Sequence, residues 1–103
     1  MKYIRTKDEN NLIIDMTDMQ LTYNLTDDFI DFNRFGMFKI IKQADTIEEL
    51  CDEFVVEDRD EFAIFHNLKL AKQTKGIVYG AIWTDKGLIY VAKMNEKGEL
   101  ELL

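Results

Sequence analysis

The chain has 103 residues, of which 47% are apolar and 32% are charged, with no proline and one cysteine. This composition predicts a single globular domain over residues 1–103 with a modest core, and it excludes a disordered chain and an internal disulfide. No apolar stretch approaches the roughly 18 residues of a membrane span, and the start "MKYIRTKDENN" lacks a signal-peptide core, so we expect a cytoplasmic protein.

The acidic residues are concentrated in one segment. The formal charge of the chain is −7, whereas residues 45–61 contain nine carboxylates and a single base, Arg59, a charge of −8. The remainder of the chain is therefore close to neutral. Binding to DNA or RNA is disfavoured because phosphate contacts require clustered Lys and Arg. A basic protein is the expected partner.

The first predicted elements are a hairpin and a helix. "KYIRT" and "NLIID" flank "KDEN", which predicts a β-hairpin over residues 2–16 with Asn10 or Asn11 at positive φ. "TDDFIDFNRFG" then predicts a short helix that Thr26 caps and Gly36 ends.

A strand is predicted at residues 37–43, "MFKIIKQ". Phenylalanine recurs every third residue before and into this strand and drifts round the predicted helix. One or two of these rings should therefore form an exposed apolar patch. The residues are Phe29, Phe32, Phe35 and Phe38.

The acidic segment is predicted to open as a helix at about 46–54. Its apolar residues recur at i, i+3, i+4 and i+7, which is typical of a helix packed on a core. They are Ile47, Leu50, Cys51 and Phe54. "FVV" at 54–56 should leave this helix as a strand.

The last third of the chain predicts mainly strands. A helix is favoured over residues 60–73, although "EFAIF" also fits a strand. "GIVYGAIWT", "LIYVAKMN" and "ELELL" predict a three-stranded meander over 77–103. Its turns "TDKG" and "NEKG" place Gly87 and Gly98 where a left-handed conformation is needed.

These elements together predict an α+β fold. We expect a small single domain in which an antiparallel sheet, made of the N-terminal hairpin and the C-terminal meander, packs with two or three short helices.

The acidic helix admits two interpretations. An eight-residue helix is about 12 Å long, so four carboxylates along it give one charge per ~3 Å, close to the ~3.4 Å phosphate spacing of a DNA strand. Such a surface can mimic nucleic acid toward a basic groove. An ordinary solvated helix face, favoured on sequence alone, explains the same pattern. The predicted partner-binding residues are Glu48, Glu49, Asp52, Glu53, Glu57 and Asp58.

The sequence offers no catalytic, metal-binding or cofactor-binding motif. It contains no serine, and Cys51 with His66 is the only Cys/His combination. Cys51 lies on the predicted apolar stripe, where a thiol is normally inert packing. No zinc, calcium-loop or phosphate-loop spacing is present. We expect no enzyme. Tyr79, Trp83 and Tyr90 could form a binding face but are better explained as core.

Three stretches carry a resemblance: residues 1–8 "MKYIRTKD", 41–56 "IKQADTIEELCDEFVV" and 79–103 "YGAIWTDKGLIYVAKMNEKGELELL". Together they resemble a group of small, mostly uncharacterised proteins encoded by phages, prophages and mobile elements of Gram-positive bacteria. The resemblance implies a genomic setting in which anti-CRISPR and other anti-defence proteins are common, and it implies no catalytic residue.

The resulting hypothesis is a non-enzymatic phage-type binding protein. Its acidic surface would inhibit a basic host defence effector, plausibly a Cas nuclease. The rival hypothesis is a structural or regulatory phage module without an anti-defence role, perhaps a homodimer that uses a sheet edge or the Phe-rich patch.

Overall fold

The computed structural model describes residues 2–7 and 13–103. The chain divides into two compact units, the first ending at Thr46 and the second running from Ile47 to Leu103. Each unit contains one five-stranded antiparallel sheet. A single domain over residues 1–103 stays a prediction.

Sheet 1, in the first unit, consists of the strands β1 Tyr3–Lys7, β2 Ile13–Asp15, β3 Asn24–Leu25, β4 Phe29–Asp31 and β5 Met37–Ala44. Ile4, Ile30 and Phe32 form its buried core, and partly buried residues such as Phe38 and Ile40 pack against them. A 3₁₀ turn, Asn33–Phe35, precedes the longest strand. The strand order across sheet 1 is β2-β1-β5-β4-β3.

The predicted N-terminal hairpin is confirmed, because β1 and β2 pair antiparallel with Ile4 opposite Ile14. The turn predicted at Asn10 or Asn11 lies outside the described residues. The strand predicted at 37–43 is also confirmed, as β5.

The helix predicted at "TDDFIDFNRFG" is wrong. Strands β3 and β4 form a hairpin there, with Leu25 opposite Ile30. Thr26 still makes the bond expected of a cap, since its Oγ1 accepts from the Phe29 N–H at 3.0 Å. A Thr side chain bonded three residues ahead stabilises a tight turn as well as a helix start. Gly36 does turn the chain, at φ 104°.

The phenylalanine pattern divides as predicted, although on strands and a 3₁₀ turn. Phe32 is buried, and its ring contacts those of Tyr23 and Phe38 at centroid distances of 6.1 Å. Phe35 is 67% exposed and Phe29 39% exposed. The prediction that one or two of these phenylalanine rings are exposed is therefore confirmed.

Sheet 2, in the second unit, consists of the strands β6 Glu53–Asp58, β7 Glu61–Phe65, β8 Ile77–Thr84, β9 Gly87–Met94 and β10 Leu100–Leu102, and the unit also contains a 3₁₀ turn at Glu48–Leu50 and the α-helix α1 Leu68–Lys72. Its core joins Phe54, Val56 and Val78 of the sheet to Leu68 and Ala71 of the α-helix. The strand order across sheet 2 is β10-β9-β8-β6-β7.

The helix predicted at about 46–54 is wrong. One 3₁₀ turn forms, closed by the Cys51 N–H bonding the Glu48 carbonyl at 3.3 Å, and the chain is extended from Cys51 onward. A helix this short is marginal by itself, whereas Phe54, Val55 and Val56 gain a place in the sheet core. Burial of the apolar positions was predicted correctly for Ile47, Leu50 and Phe54, and Cys51 is half-buried.

The helix predicted at 60–73 is wrong over its first half. "EFAIF" is strand β7, paired with β6, and the helix is confined to Leu68–Lys72. Asn67 starts this helix, since its side-chain oxygen accepts from the Lys69 N–H at 2.7 Å.

The C-terminal meander is confirmed, as β8, β9 and β10 pair antiparallel in sequence order. Gly87 and Gly98 take the expected positive φ, 106° and 80°. The α+β fold class is nevertheless wrong. Strands make up 53% of the described residues and helical segments only 11%, so this part of the protein is mostly β, with two antiparallel sheets.

Candidate functional site

The side chains of strand β6 alternate between the two faces of sheet 2. Phe54 and Val56 pack with α1. Because side chains alternate along a strand, Glu53 and Glu57 lie on the opposite side. We call that side, which also carries Tyr79 and Tyr90, the open face. The cross-strand register places all four there.

A stacked tyrosine pair occupies the middle of the open face. The pairing of β8 with β9 shifts register at Gly80/Ala81, which sets Tyr90 opposite Ala81. The rings of Tyr79 and Tyr90 stack with centroids 4.7 Å apart and planes at 22°. The Tyr90 hydroxyl donates to Glu57 Oε1 at 2.7 Å. A carboxylate is therefore held beside two aromatic rings.

The protonation of Tyr90 fixes the direction of that hydrogen bond. Burial, and then the bond to Glu57, raise the pKa of Tyr90 from 10.0 to about 12. At neutral pH the phenol keeps its proton and donates it to the carboxylate. An ionised carboxylate has about four acceptor positions, so one phenol leaves Glu57 with acceptor capacity.

A second carboxylate on the open face is nearly buried. Glu53 is only 7% exposed, and its Oε1 lies 2.8 Å from His66 Nδ1. Its Oε2 is buried without a hydrogen-bond partner among the described residues. The His66 side chain is 87% exposed and balances the Glu53 charge only when it is protonated. A buried carboxylate oxygen favours a cationic or hydrogen-bonding partner.

Large apolar side chains stand beside these carboxylates. Phe62 is opposite Glu57 in the β6–β7 pairing and is 67% exposed, and Trp83 is 53% exposed. Ile64 and Ile77, on the same face, are 45% and 46% exposed. Lys93 lies opposite Tyr79 on the β9 side, and Glu101 of β10 lies opposite Lys93, so the open face also carries a cation and a further carboxylate of the protein itself. Exposed apolar side chains grouped in this way are typical of an interaction surface.

The six predicted partner-binding acids do not share one helical face. Glu48 and Glu49 are exposed in the 3₁₀ turn. Asp52 Oδ2 accepts from the Trp83 N–H at 2.8 Å, which fixes it against the sheet. Of the six acids, β6 carries Glu53, Glu57 and Asp58.

The alternation of β6 then separates those three. It puts Glu53 and Glu57 on the open face and Asp58, opposite Glu61 at the hairpin end, on the other. The phosphate-like spacing does not arise because its helix does not form.

Cys51 and His66 are not brought together as a catalytic pair. Cys51 lies on the α1 side of the sheet, where a Cβ added to Gly80 would come within 2.6 Å of its Sγ. His66 instead contacts Glu53, a residue of the open face. This placement agrees with a packing role for the Cys51 side chain.

The described part of the chain contains no group of three His, Cys, Asp or Glu residues able to hold a metal ion. In the same residues, no helix has the length and apolar character needed to cross a membrane. Comparison with protein-family models, with curated proteins and with solved structures gives no match to this chain. The open face is therefore the part of the molecule whose chemistry indicates a function.

Sequence reasoning undervalued the tyrosines of this face. Tyr79, Ala81 and Trp83 follow one another at intervals of two residues on one strand, which places them on the same face. This period-two spacing was the available signal. The contact of Tyr90 with Glu57 depends on the pairing of β6, β8 and β9 and on the β8–β9 register shift. No local pattern encodes that combination.

Proposed function

We propose that this protein is a non-enzymatic binding protein whose open face captures a Lys- or Arg-bearing segment of a protein partner. The main support is Glu57, held by Tyr90 beside the stacked Tyr79–Tyr90 pair. A cation over a tyrosine ring gains about 0.5–2 kcal/mol, and a carboxylate within reach adds a charge-assisted hydrogen bond. Rings and carboxylate together favour a cationic side chain over a neutral one.

Glu53 extends the same chemistry along the strand. Its side chain is 7% exposed and its Oε2 is buried, so Glu53 adds an acidic group beside Glu57 without offering that oxygen to a partner directly. At Glu57, which keeps acceptor capacity beside the Tyr90 bond, arginine fits better than lysine because its planar guanidinium presents five donors.

The exposed apolar side chains supply the rest of an interface. Phe62 and Trp83 are each more than half exposed, and aromatic residues often dominate the energy of protein contacts. The net charge of −7 attracts a basic partner over longer distances and makes capture sensitive to salt.

The biological role belongs to the same proposal. The resemblance to phage and mobile-element proteins, together with the acidic charge, supports inhibition of a host defence effector in the bacterial cytoplasm, with a Cas nuclease as the narrower version. An acidic helix that mimics nucleic acid plays no part in this mechanism, because that helix does not form. Its place is taken by the two carboxylates and the aromatic rings of the sheet.

The proposal is tested by capture from a lysate of a Gram-positive host, with bound proteins identified by mass spectrometry. Glu57→Gln should release a basic partner that the unmodified chain retains, and raised salt should release it too. Glu96→Gln is the matched control, because Glu96 is exposed in the β9–β10 turn and the net charge changes equally. Capture that both variants retain equally would rule out the open face.

Reversal of Glu49, Asp52 and Glu53 to Lys is the weaker test. Asp52 bonds the sheet backbone and Glu53 is nearly buried, so the triple variant would disturb folding as well as binding. Glu57→Gln keeps the size of the side chain and can still accept from Tyr90.

A further inference from the structure

Strand β7 is the terminal strand of sheet 2, paired with β6 on one side only within the described residues. Its first four side chains are exposed, including Phe62 at 67% and Ile64 at 45%. Proteins usually protect such an edge with Lys, Pro or a bulge. Glu61, the first residue, is the only charged residue of β7, and the register with β6 is regular.

The hairpin geometry determines which backbone groups point outward. Arg59 and Asp60 form a two-residue turn, so Asp58 and Glu61 are a hydrogen-bonded pair. Hydrogen-bonded and non-hydrogen-bonded pairs alternate along an antiparallel ladder. The N–H and C=O groups of Phe62 and Ile64 therefore point away from β6, toward the free edge.

We propose that this edge pairs with β7 of a second copy of the chain, antiparallel and centred on Ala63. Phe62 then lies opposite Ile64 of the second copy, and the reciprocal pair forms by symmetry. Both pairs join residues whose backbone groups point outward, so each pair exchanges two hydrogen bonds. The result is a continuous ten-stranded sheet with both open faces on one side.

The sequence of β7 selects this register. A centre at Phe62 would set Ile64 opposite Asp60 of the other copy, and a centre at Ile64 would set Phe62 opposite His66. Only the centre at Ala63 pairs both exposed apolar side chains with apolar partners. It also sets Asp60 opposite His66 of the second copy, a complementary pair when the imidazole is protonated. This self-complementarity argues for a second copy over an unrelated strand.

The charge of the chain predicts how the dimer responds to salt. Two copies that each carry −7 repel one another, so salt should strengthen the association by screening. Capture of a basic partner has the opposite salt dependence. The dimer does not rely on the proposed function, and its tests use the chain alone.

The first test is sedimentation velocity over a concentration series at low and high salt. The unmodified chain should dimerise, more strongly at high salt. Ile64→Lys should weaken dimerisation by roughly tenfold or more, since lysine blocks an edge. Ile77→Lys is the matched control, because Ile77 is equally exposed on the open face but lies in β8, away from the edge. A monomer at every concentration, or equal effects of both variants, would overturn the proposal.

A cross-linking test fixes the register and does not depend on the lysine variants folding. In the proposed dimer, Ala63 lies opposite Ala63 of the second copy as a non-hydrogen-bonded pair. The Cα atoms of such a pair are about 4.5 Å apart, within the span of a disulfide. In a Cys51→Ala background, Ala63→Cys should form a disulfide-linked dimer under oxidation. Ile77→Cys should not. Equal linkage by the two variants would contradict the predicted register.

Discussion

The two faces of sheet 2 use the same strands but are covered differently. On one face α1 supplies Leu68 and Ala71, which pack against Phe54 and Val56 to give an apolar core. On the open face, Val55 and Ala81 are also buried, at 1% and 0% exposure. There the neighbouring side chains are the stacked tyrosines and the two carboxylates.

This difference between the two faces indicates that the α1 side mainly stabilises the fold, whereas the open face mainly serves binding. A tyrosine ring covers apolar neighbours with its body and presents a hydroxyl at its end, so it can close a sheet face without making that face inert. We therefore expect changes on the α1 side to act mainly on the free energy of unfolding. Changes on the open face should act more on binding.

Phe54→Ala on the α1 side should have the largest effect on stability. Phe54 is 4% exposed, and removal of a buried phenylalanine ring costs about 3–5 kcal/mol. Urea unfolding followed by circular dichroism measures the loss. A cost below about 1 kcal/mol would mean that the α1 side is not the main core of the second unit.

The burial of Phe54 was predictable although its secondary structure was not. The apolar stripe of Ile47, Leu50 and Phe54 fits a helix by spacing, and the structure buries the same residues through a 3₁₀ turn and a strand. Hydrophobicity indicated which side chains are inside. The choice of element depended on pairing between β6 and β8, a contact that is distant in sequence.

Gly80→Ala should have the next largest effect, about 1–3 kcal/mol of destabilisation from overpacking. A Cβ at this position would lie 2.6 Å from Cys51 Sγ. Cys51→Ala in the same chain should recover part of the loss, because it removes the contacting sulfur. The double-mutant cycle measures that coupling. A cost of Gly80→Ala that is unchanged by Cys51→Ala would show that the clash lies elsewhere.

The candidate site was less predictable than the core. The sequence identified Glu53 and Glu57 as partner-binding candidates, but it placed Glu53 on an acidic helix with Glu49 and Asp52, and Glu57 beyond the end of that helix. In the strand, Glu53 and Glu57 share a face because they are four residues apart, an even number. Asp52 is instead used to bond the Trp83 backbone. Which acids are available depends on this tertiary pairing.

Tyr90→Phe on the open face should cost less, about 1–2 kcal/mol, because it removes one hydrogen bond to a partly buried carboxylate. The ring remains and can still stack on Tyr79. Unfolding of Tyr90→Phe, Glu57→Gln and the double variant tests the bond. Purely additive costs would indicate that Tyr90 and Glu57 act independently.

Alkaline pH should reveal the same hydrogen bond. The pKa of Tyr90 is raised from 10.0 to about 12, so between these values the folded chain keeps a proton that the unfolded chain loses. Stability should therefore fall as pH rises through this window and should be unaffected by this group below it. Urea midpoints at about pH 9 and about pH 11 measure the fall. Tyr90→Phe should show a shallower fall than the unmodified chain.

Phe62→Ser should have the smallest effect on the stability of the monomer, within about 0.5 kcal/mol, because the ring is already 67% exposed. Measured at low protein concentration, this near-neutral result contrasts with Phe54→Ala, since both residues are phenylalanines in adjacent strands of one sheet. The same variant should weaken dimerisation in sedimentation, because Phe62 packs beside Ile64 of the second copy in the proposed dimer. A large loss of monomer stability would mean that the open face contributes to the core, and the separation of stability from recognition would fail.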